Sequence, residues 1–226
     1  MKSSSGVHKF WNLSAIFFDT FLARNIVLVQ AIGLCPILIA GTTLKNGVLL
    51  TLCTALVLLP TGLLMSLVGE RLPAWLRAPL YTTGASLLLI GAAYLVDTYW
   101  SHELYASLYL FLPLMAVNTL VTYRAGGFSV SNRPPAAVMD ALGSTLGFGL
   151  VICLVSAVRE LAAYGTLWDV PLIKPFLPRD KVITPFLAFI MLAVMSAALQ
   201  HTQRFLRRLT QPPVQDESAA EEEETA

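Results

Sequence analysis

Hydrophobic residues in this chain form long runs that are separated by short polar segments. A helix needs about 20 mostly apolar residues to cross the hydrocarbon core of a bilayer. Six stretches meet this requirement, and Asp140 is the one charged residue inside them: Ile26–Leu44, Val48–Val68, Ala78–Val96, Leu104–Tyr123, Ala136–Val158 and Val182–Gln200. The pattern predicts an all-α integral membrane protein with six transmembrane helices.

Six spans divide naturally into two halves of three. An odd number of spans in each half forces the halves into opposite orientation, and inverted repeats of this kind often place a site near the membrane midplane where they meet. The sequence trace of a repeat is faint: Val68–Arg71 after the second span and Val158–Glu160 after the fifth both hold a Glu next to an Arg.

The segments outside the spans differ from them in pattern. Residues 1–24 carry aromatic and aliphatic side chains at helical spacing, which predicts an amphipathic helix lying on the inner leaflet: Phe10, Leu13, Phe17 and Phe21. Residues 25–208 form the predicted six-helix membrane domain. Residues 209–226 hold two prolines and then Glu221–Glu224, which is typical of a disordered acidic tail.

Composition supports a membrane protein and excludes other classes. The chain is 56% hydrophobic and 13% charged, whereas a soluble domain carries about 25% charged residues. Its net charge is +1, and no basic patch stands near interleaved aromatics, so nucleic acid is not an expected partner. The expected partner is membrane lipid.

Lysine and arginine predict the orientation, because they accumulate in cytoplasmic loops. With the N-terminus inside, ten of them fall on the inner side: Lys2, Lys9, Arg24, Arg71, Arg77, Arg124, Arg133, Arg204, Arg207 and Arg208. Five fall outside: Lys45, Arg159, Lys174, Arg179 and Lys181. Both termini are therefore expected in the cytoplasm.

Several spans contain helix breakers. Gly33 and Pro36 lie in the first, Pro60 and Gly62 in the second, and Pro113 in the fourth. One interpretation is that Gly and Pro are simply commoner in membrane helices. The other is that broken helices, which are tolerated only against protein or a cavity, mark a binding site.

The residues that could carry chemistry are few. Three cysteines, Cys35, Cys53 and Cys153, lie in apolar runs, and their odd number and wide spacing argue against disulfides. Cys35, beside Gly33 and Pro36, is either a small apolar filler or a soft thiolate ligand for iron or copper. An iron–sulfur cluster needs four ligands, so this chain alone holds no complete active site.

Carboxylates near the spans have structural interpretations. Asp140 follows Pro134-Pro135 by a few residues, and we interpret it as a first-turn carboxylate favoured by the helix dipole rather than as part of an ion pathway. Glu70 and Glu160 each neighbour an arginine at a span end, which suggests interfacial charge pairs or snorkelling side chains.

Short motifs in order along residues 24–200 resemble one family. They are Asn25–Gln30 leading into Ala31–Pro36, Leu112–Asn118, Tyr123-Arg124-Ala125, Asp140 followed by Gly143, Gly147 and Gly149, and Arg159-Glu160-Leu161 running on to Gly165-Thr166-Leu167. The chain is similar in these features to the NqrD/RnfE family, whose members are membrane subunits of the Rnf complex and of the sodium-pumping NADH:quinone reductase.

This resemblance implies a fold and a function. The fold is six spans in two inverted three-helix halves. The function is that of a subunit of a translocase, in which electron transfer from ferredoxin to NAD is coupled to Na⁺ or H⁺ translocation in the bacterial cytoplasmic (inner) membrane. A homologous RnfA/NqrE-like subunit pairs with it, beside the other Rnf subunits. A 2Fe-2S cluster lies between the pair, with one cysteine from the first and one from the fourth span of each subunit.

The sequence departs from this pattern at one ligand. Cys35 matches the first-span cysteine, but Thr119 stands after Asn118 where the fourth-span cysteine is expected. A neutral hydroxyl is a hard and poor ligand for cluster iron. Three cysteines with an oxygen ligand or water, loss of the cluster, and rescue by Cys53 or Cys153 all remain open.

Two other functions stay in competition with the electron-transfer subunit. A secondary transporter or importer membrane component also fits six spans with breakers, and it would work without iron, flavin or ferredoxin partners. A non-redox scaffold subunit of the same complex fits the presence of Thr119.

Overall fold

The computed structural model describes residues 13–23, 25–99, 109, 111–168, 170–171 and 185–210. In the first part of the chain, α1 covers residues 13–18 and passes into a π-helical turn at Asp19–Ala23, and it is followed by α2 (Ile26–Gln30), α3 (Leu34–Ile39), α4 (Leu44–Val68), a 3-10 turn (Gly69–Arg71) and α5 (Ala74–Tyr99). In the second part come α6 (Leu112–Ala116), α7 (Thr119–Tyr123), a π-helical turn (Arg124–Phe128), α8 (Ser129–Ser131), α9 (Pro134–Tyr164), a hairpin of β1 (Thr166–Leu167) and β2 (Val170–Pro171), and α10 (Pro185–Thr210). Phe10, the starts of the fourth and sixth predicted spans and residues 211–226 lie outside the described residues.

Four helices among the described residues are long and apolar enough to cross a bilayer. They are Leu44–Arg71, Ala74–Thr98, Pro134–Tyr164 and Pro185–Arg204, and they coincide with the second, third, fifth and sixth predicted spans. The chain is an all-α membrane protein, with β1 and β2 as one short antiparallel hairpin in the described part.

The first and fourth predicted spans are discontinuous in the structure. The first is divided into α2 and α3, with Ala31 (φ 54°) and Gly33 (φ 80°) in the left-handed conformation between them. The described part of the fourth is divided into α6 and α7, because Asn118 leaves the helical conformation at ψ 134°. The count of six spans stays a prediction.

The breakers act differently according to their place in a helix. Pro60 and Gly62 do not interrupt α4, which continues to Val68. Pro113 lies in the first turn of α6, where a helix needs no amide donor. The order of a broken span followed by two long helices therefore occurs twice along the chain.

The core lies along the crossing of α4 and α9. Small residues bring the two backbones together: a Cβ atom on Gly149 would overlap the side chain of Thr51, and one on Gly47 would lie 3.0 Å from the Ser156 hydroxyl. Around them the fully buried apolar side chains are Leu50, Val57, Phe148, Ile152 and Val155. Close approach at small residues is the usual way in which membrane helices associate.

The N-terminal helix packs on α9. Gly143 lies against the Phe17 backbone, and Thr20 is 5% exposed. Residues 13–23 are thus helical and rest on protein along one side, while Phe18 remains 65% exposed. Their placement on the inner leaflet stays a prediction.

The outer faces of α5 and α10 are apolar. Large exposed side chains cover them: Leu87, Ile90 and Tyr94 on α5, and Phe186, Phe189 and Val194 on α10. An apolar exterior of this kind suits contact with lipid tails or with other membrane subunits.

Candidate functional site

A cavity of about 310 Å³ lies where the two broken spans meet. Cys35 and Pro36 of α3 line one side, and Asn118 and Thr119, at the start of α7, line the other. Cys35 and Thr119 are both exposed. The remaining lining side chains are apolar: Ile39, Phe111, Leu114, Met115 and Val117. The two residues that the sequence selects as candidate cofactor-binding positions therefore share one cavity on the surface of the chain.

An asparagine at the break in the fourth span caps the helix that follows it. The Asn118 Oδ1 atom accepts a hydrogen bond from the Leu120 N–H at 3.2 Å, which caps α7. Asn118 is 7% exposed. Thr119, as the first residue of α7, is presented at the rim of the cavity.

The break in the first span is held by side chains of the second half. Ser196 of α10 donates to the Leu28 carbonyl at 2.6 Å, and the Gly33 N–H donates to the Thr119 hydroxyl at 3.0 Å. Asn25 caps α2 through the Val27 and Leu28 amides. Backbone groups at membrane depth need such partners because lipid offers none.

Arg159 and Glu160 bind backbone groups at the C-terminal end of α3 and at the start of α4. The Arg159 guanidinium donates through Nη1 to the carbonyls of Leu38 and Gly41, both at 3.0 Å. The Leu44 N–H, at the start of α4, donates to Glu160 Oε2 at 2.7 Å. The expectation that Glu160 and its neighbouring arginine are snorkelling groups is wrong, because Arg159 is 1% and Glu160 2% exposed. Their place as a charge pair at the membrane interface stays a prediction.

A second buried polar group lies on α9. Arg124 Nη1 and Asp140 Oδ1 form an ion pair at 2.7 Å, and the Thr20 hydroxyl donates to the same oxygen at 3.0 Å. Asp140 is six residues beyond the start of α9, and the first turn of that helix contains no acidic residue. The helix dipole is therefore the wrong reason for its position; the Arg124 cation and Thr20 supply the correct one.

The other two cysteines lie away from the cavity. Cys53 is fully buried in the core, and Cys153 is partly buried against it. Neither lines the cavity that contains Cys35. Their positions give no support to the idea that they replace the missing fourth-span ligand.

The donor atoms of this chain fit a shared cluster through one ligand. The Cys35 thiol is exposed at the cavity and suits iron. The Thr119 oxygen already accepts the Gly33 amide hydrogen and, as a neutral hydroxyl, is a poor match for cluster iron. Among the described residues, no group of three or more His, Cys, Asp or Glu side chains is placed to hold a metal ion. Other ligands would have to come from a neighbouring subunit.

Comparisons with known proteins find one matching family model and a group of related membrane-complex subunits. The family described as "Rnf-Nqr subunit, membrane protein" matches residues 13–202. The chain is 37% identical over 158 residues to the E-type subunit of the ion-translocating oxidoreductase complex of Shewanella oneidensis, and this match covers 70% of the chain and 68% of that relative. It is 36% identical, with the same coverage, to proteins of the same name from Shewanella sp. strain ANA-3 and Shewanella baltica strain OS185.

Proposed function

This chain belongs to the Rnf-Nqr family of membrane subunits, and we propose that it is the E-type subunit of an ion-translocating oxidoreductase complex. The match covers more than two thirds of the length of the relatives that carry this name. In this proposal the complex passes electrons from ferredoxin to NAD and couples the transfer to movement of Na⁺ or H⁺. The membrane is the cytoplasmic membrane of a bacterium.

The part of this function that falls to the chain is to place one cysteine at a subunit interface. Cys35 would bind iron of a 2Fe-2S cluster shared with a homologous RnfA/NqrE-like subunit, and the cluster, when bound, supplies one-electron transfer. The observation that carries the proposal is that Cys35 is an exposed thiol in a cavity formed by both broken spans. A thiol meant for a second subunit has to be exposed in the isolated chain.

A non-redox scaffold subunit is the second candidate, and Thr119 favours it. This chain has Thr119 where the family pattern implies a second thiolate. The Thr119 hydroxyl accepts a hydrogen bond from the Gly33 N–H. In that case assembly of the complex would require the chain, while electron transfer would not require Cys35. A secondary transporter is the third candidate, which needs no iron at all.

Substitution of Cys35 separates these candidates. In the purified complex, Cys35→Ser should remove a 2Fe-2S signal measured by electron paramagnetic resonance, because a serine hydroxyl is a harder ligand than a thiolate. Cys153→Ser is the matched control, since Cys153 is only partly exposed and lies away from the cavity. An unchanged signal in Cys35→Ser would remove this residue from the site, and unchanged electron transfer would favour the scaffold.

A further inference from the structure

The short helix that carries Cys35 is held at both ends by side chains from the second half of the chain. Before its first turn, the Gly33 N–H donates to the Thr119 hydroxyl at 3.0 Å. At its other end, Arg159 donates to the carbonyl of Leu38, in the last turn, and to that of Gly41, just beyond the helix, at 3.0 Å each. Thr119 and Arg159 therefore form a clamp on α3, and we use this term for the two side chains together.

A helix as short as α3 needs such a clamp. It has six residues, and isolated helices shorter than about 12 residues are marginal even in water. In the membrane, an unpaired backbone group is unfavourable because lipid offers it no hydrogen-bond partner. The position of Cys35 in the first turn of α3 consequently depends on the groups that hold its two ends.

The two parts of the clamp are suited to fixing a position. Arg159 is 1% exposed, and its planar guanidinium reaches two carbonyls with one nitrogen. Gly33 has φ 80°, a conformation that other residues rarely adopt, and it directs its amide towards Thr119. The residues that make these contacts with α3 are far from it in sequence, so the contacts fix α3 against the second half.

We propose that Thr119 and Arg159 are positioning residues that set the place of Cys35 at the subunit interface. Thr119 thus acts by accepting the Gly33 amide hydrogen rather than by binding iron, and this chain supplies a single ligand. The proposal deepens the proposed function and rests on it where a cluster is concerned. The placement of the thiol itself is a property that is measurable without a cluster.

The first test measures how fast Cys35 reacts with a membrane-permeant maleimide. Membranes holding the assembled complex are stripped of iron with a chelator, so that ligation does not protect the thiol, and Cys53 and Cys153 are replaced by alanine. Thr119→Val and Arg159→Lys should each change the rate roughly three- to tenfold, the effect of one lost hydrogen bond. Thr119→Ser keeps the hydroxyl and should react like the parent chain.

Two matched substitutions serve as controls for this rate. Thr61→Val removes a buried hydroxyl that donates within α4 to the Val57 carbonyl. Arg124→Lys changes another buried arginine, which pairs with Asp140 rather than with α3. Both should leave the Cys35 rate unchanged. Equal rates in the parent, Thr119→Val and Arg159→Lys would overturn the clamp.

The second test separates positioning from ligation in the iron-loaded complex. If Thr119 positions Cys35, Thr119→Val should alter the line shape and midpoint potential of the 2Fe-2S signal, and Thr119→Ser should restore both. Loss of the signal in Thr119→Val with an unchanged maleimide rate would instead make Thr119 a ligand, and it would refute the proposal. If the parent complex contains no iron at this subunit pair, the cluster function fails, while the maleimide rates still decide the clamp.

Discussion

The Gly33 amide donates to an oxygen of Thr119, whereas a cysteine at that position would offer it a sulfur. The threonine oxygen accepts the N–H at 3.0 Å, which is an ordinary length for such a bond. A cysteine sulfur would also accept it, and hydrogen bonds to sulfur are one of the ways in which a protein adjusts the potential of an iron–sulfur cluster. Under the proposed function, this position would therefore keep the arrangement of a ligand site while it lacks the ligand atom.

Replacement of Thr119 by cysteine should increase cluster retention. The substitution adds a soft anionic ligand at the rim of the cavity that contains Cys35. We expect more iron and acid-labile sulfide per complex in Thr119→Cys than in the parent after the same purification. A complex that contains no iron at this pair before or after the change would show that the cluster has been lost.

The ion pair of Arg124 and Asp140 is a residue-scale question of a different kind. The two side chains are 8% and 1% exposed, and removal of one partner from a buried pair costs about 3–5 kcal/mol, whereas apolar replacement of both is often neutral. Arg124→Met should thus lower the thermal stability of the complex strongly. The double variant Arg124→Met with Asp140→Leu should recover most of it.

The same variants show whether the pair also serves ion movement. A double variant that is stable and assembled but does not translocate ions would give the pair a role beyond structure. Ion translocation at the parent level in that variant would leave the pair with a purely structural role. Stability in Arg124→Met equal to that of the parent would contradict the importance of the pair.

At the scale of elements, the crossing of α4 and α9 depends on the absence of a side chain at Gly149. A Cβ atom there would overlap Thr51, and cores tolerate added methyl groups poorly. Gly149→Ala should lower the melting temperature of the complex by several degrees, and adding Thr51→Ala should relieve the overlap. The control is Gly91→Ala on α5, where a Cβ atom would meet no other heavy atom of the described residues within 4 Å beyond the helix's own backbone; this change should be neutral. A neutral effect of Gly149→Ala would contradict close packing here.

The long helices were predictable from sequence, and the polar contacts between them were not. Uninterrupted hydrophobicity located α4, α5, α9 and α10, since length and apolar character alone decide whether a helix is able to span a bilayer. The breakers pointed to α3 correctly, whereas Pro60 proved compatible with a continuous α4. The contacts of Arg159 with Leu38 and of Thr20 with Asp140 join residues about 120 positions apart, and no local pattern indicates such partners.

At the scale of the whole molecule, a broken span followed by two long helices occurs twice, and the two broken spans meet at the cavity of Cys35. If every element crosses the bilayer, three crossings per set place the sets in opposite directions. Arg159 and Arg124 are buried and no longer count as loop charges. Because one was counted outside and the other inside, the excess of Lys and Arg on the inner side is unchanged. The predicted cytoplasmic termini retain their support.

The orientation is testable with reporter fusions. Green fluorescent protein fused after the last residue should fluoresce, because it folds in the cytoplasm, and alkaline phosphatase at that position should be inactive. Alkaline phosphatase fused after Thr42, in the turn between α3 and α4, should be active as the control. The reverse pattern of reporter activities would show the opposite orientation of the chain in the membrane.

The bonds from Arg159 to the carbonyls of Leu38 and Gly41 also impose an order on biosynthesis. The arginine follows Leu38 by 121 positions, which a ribosome working at about 5–20 residues per second covers in roughly 6–25 seconds. During that interval the carbonyl end of α3 lacks the arginine that later binds it. The contacts that hold the helix of Cys35 are therefore complete only after α9 has been synthesised, and under the proposed function iron delivered before that moment would meet an unfinished site.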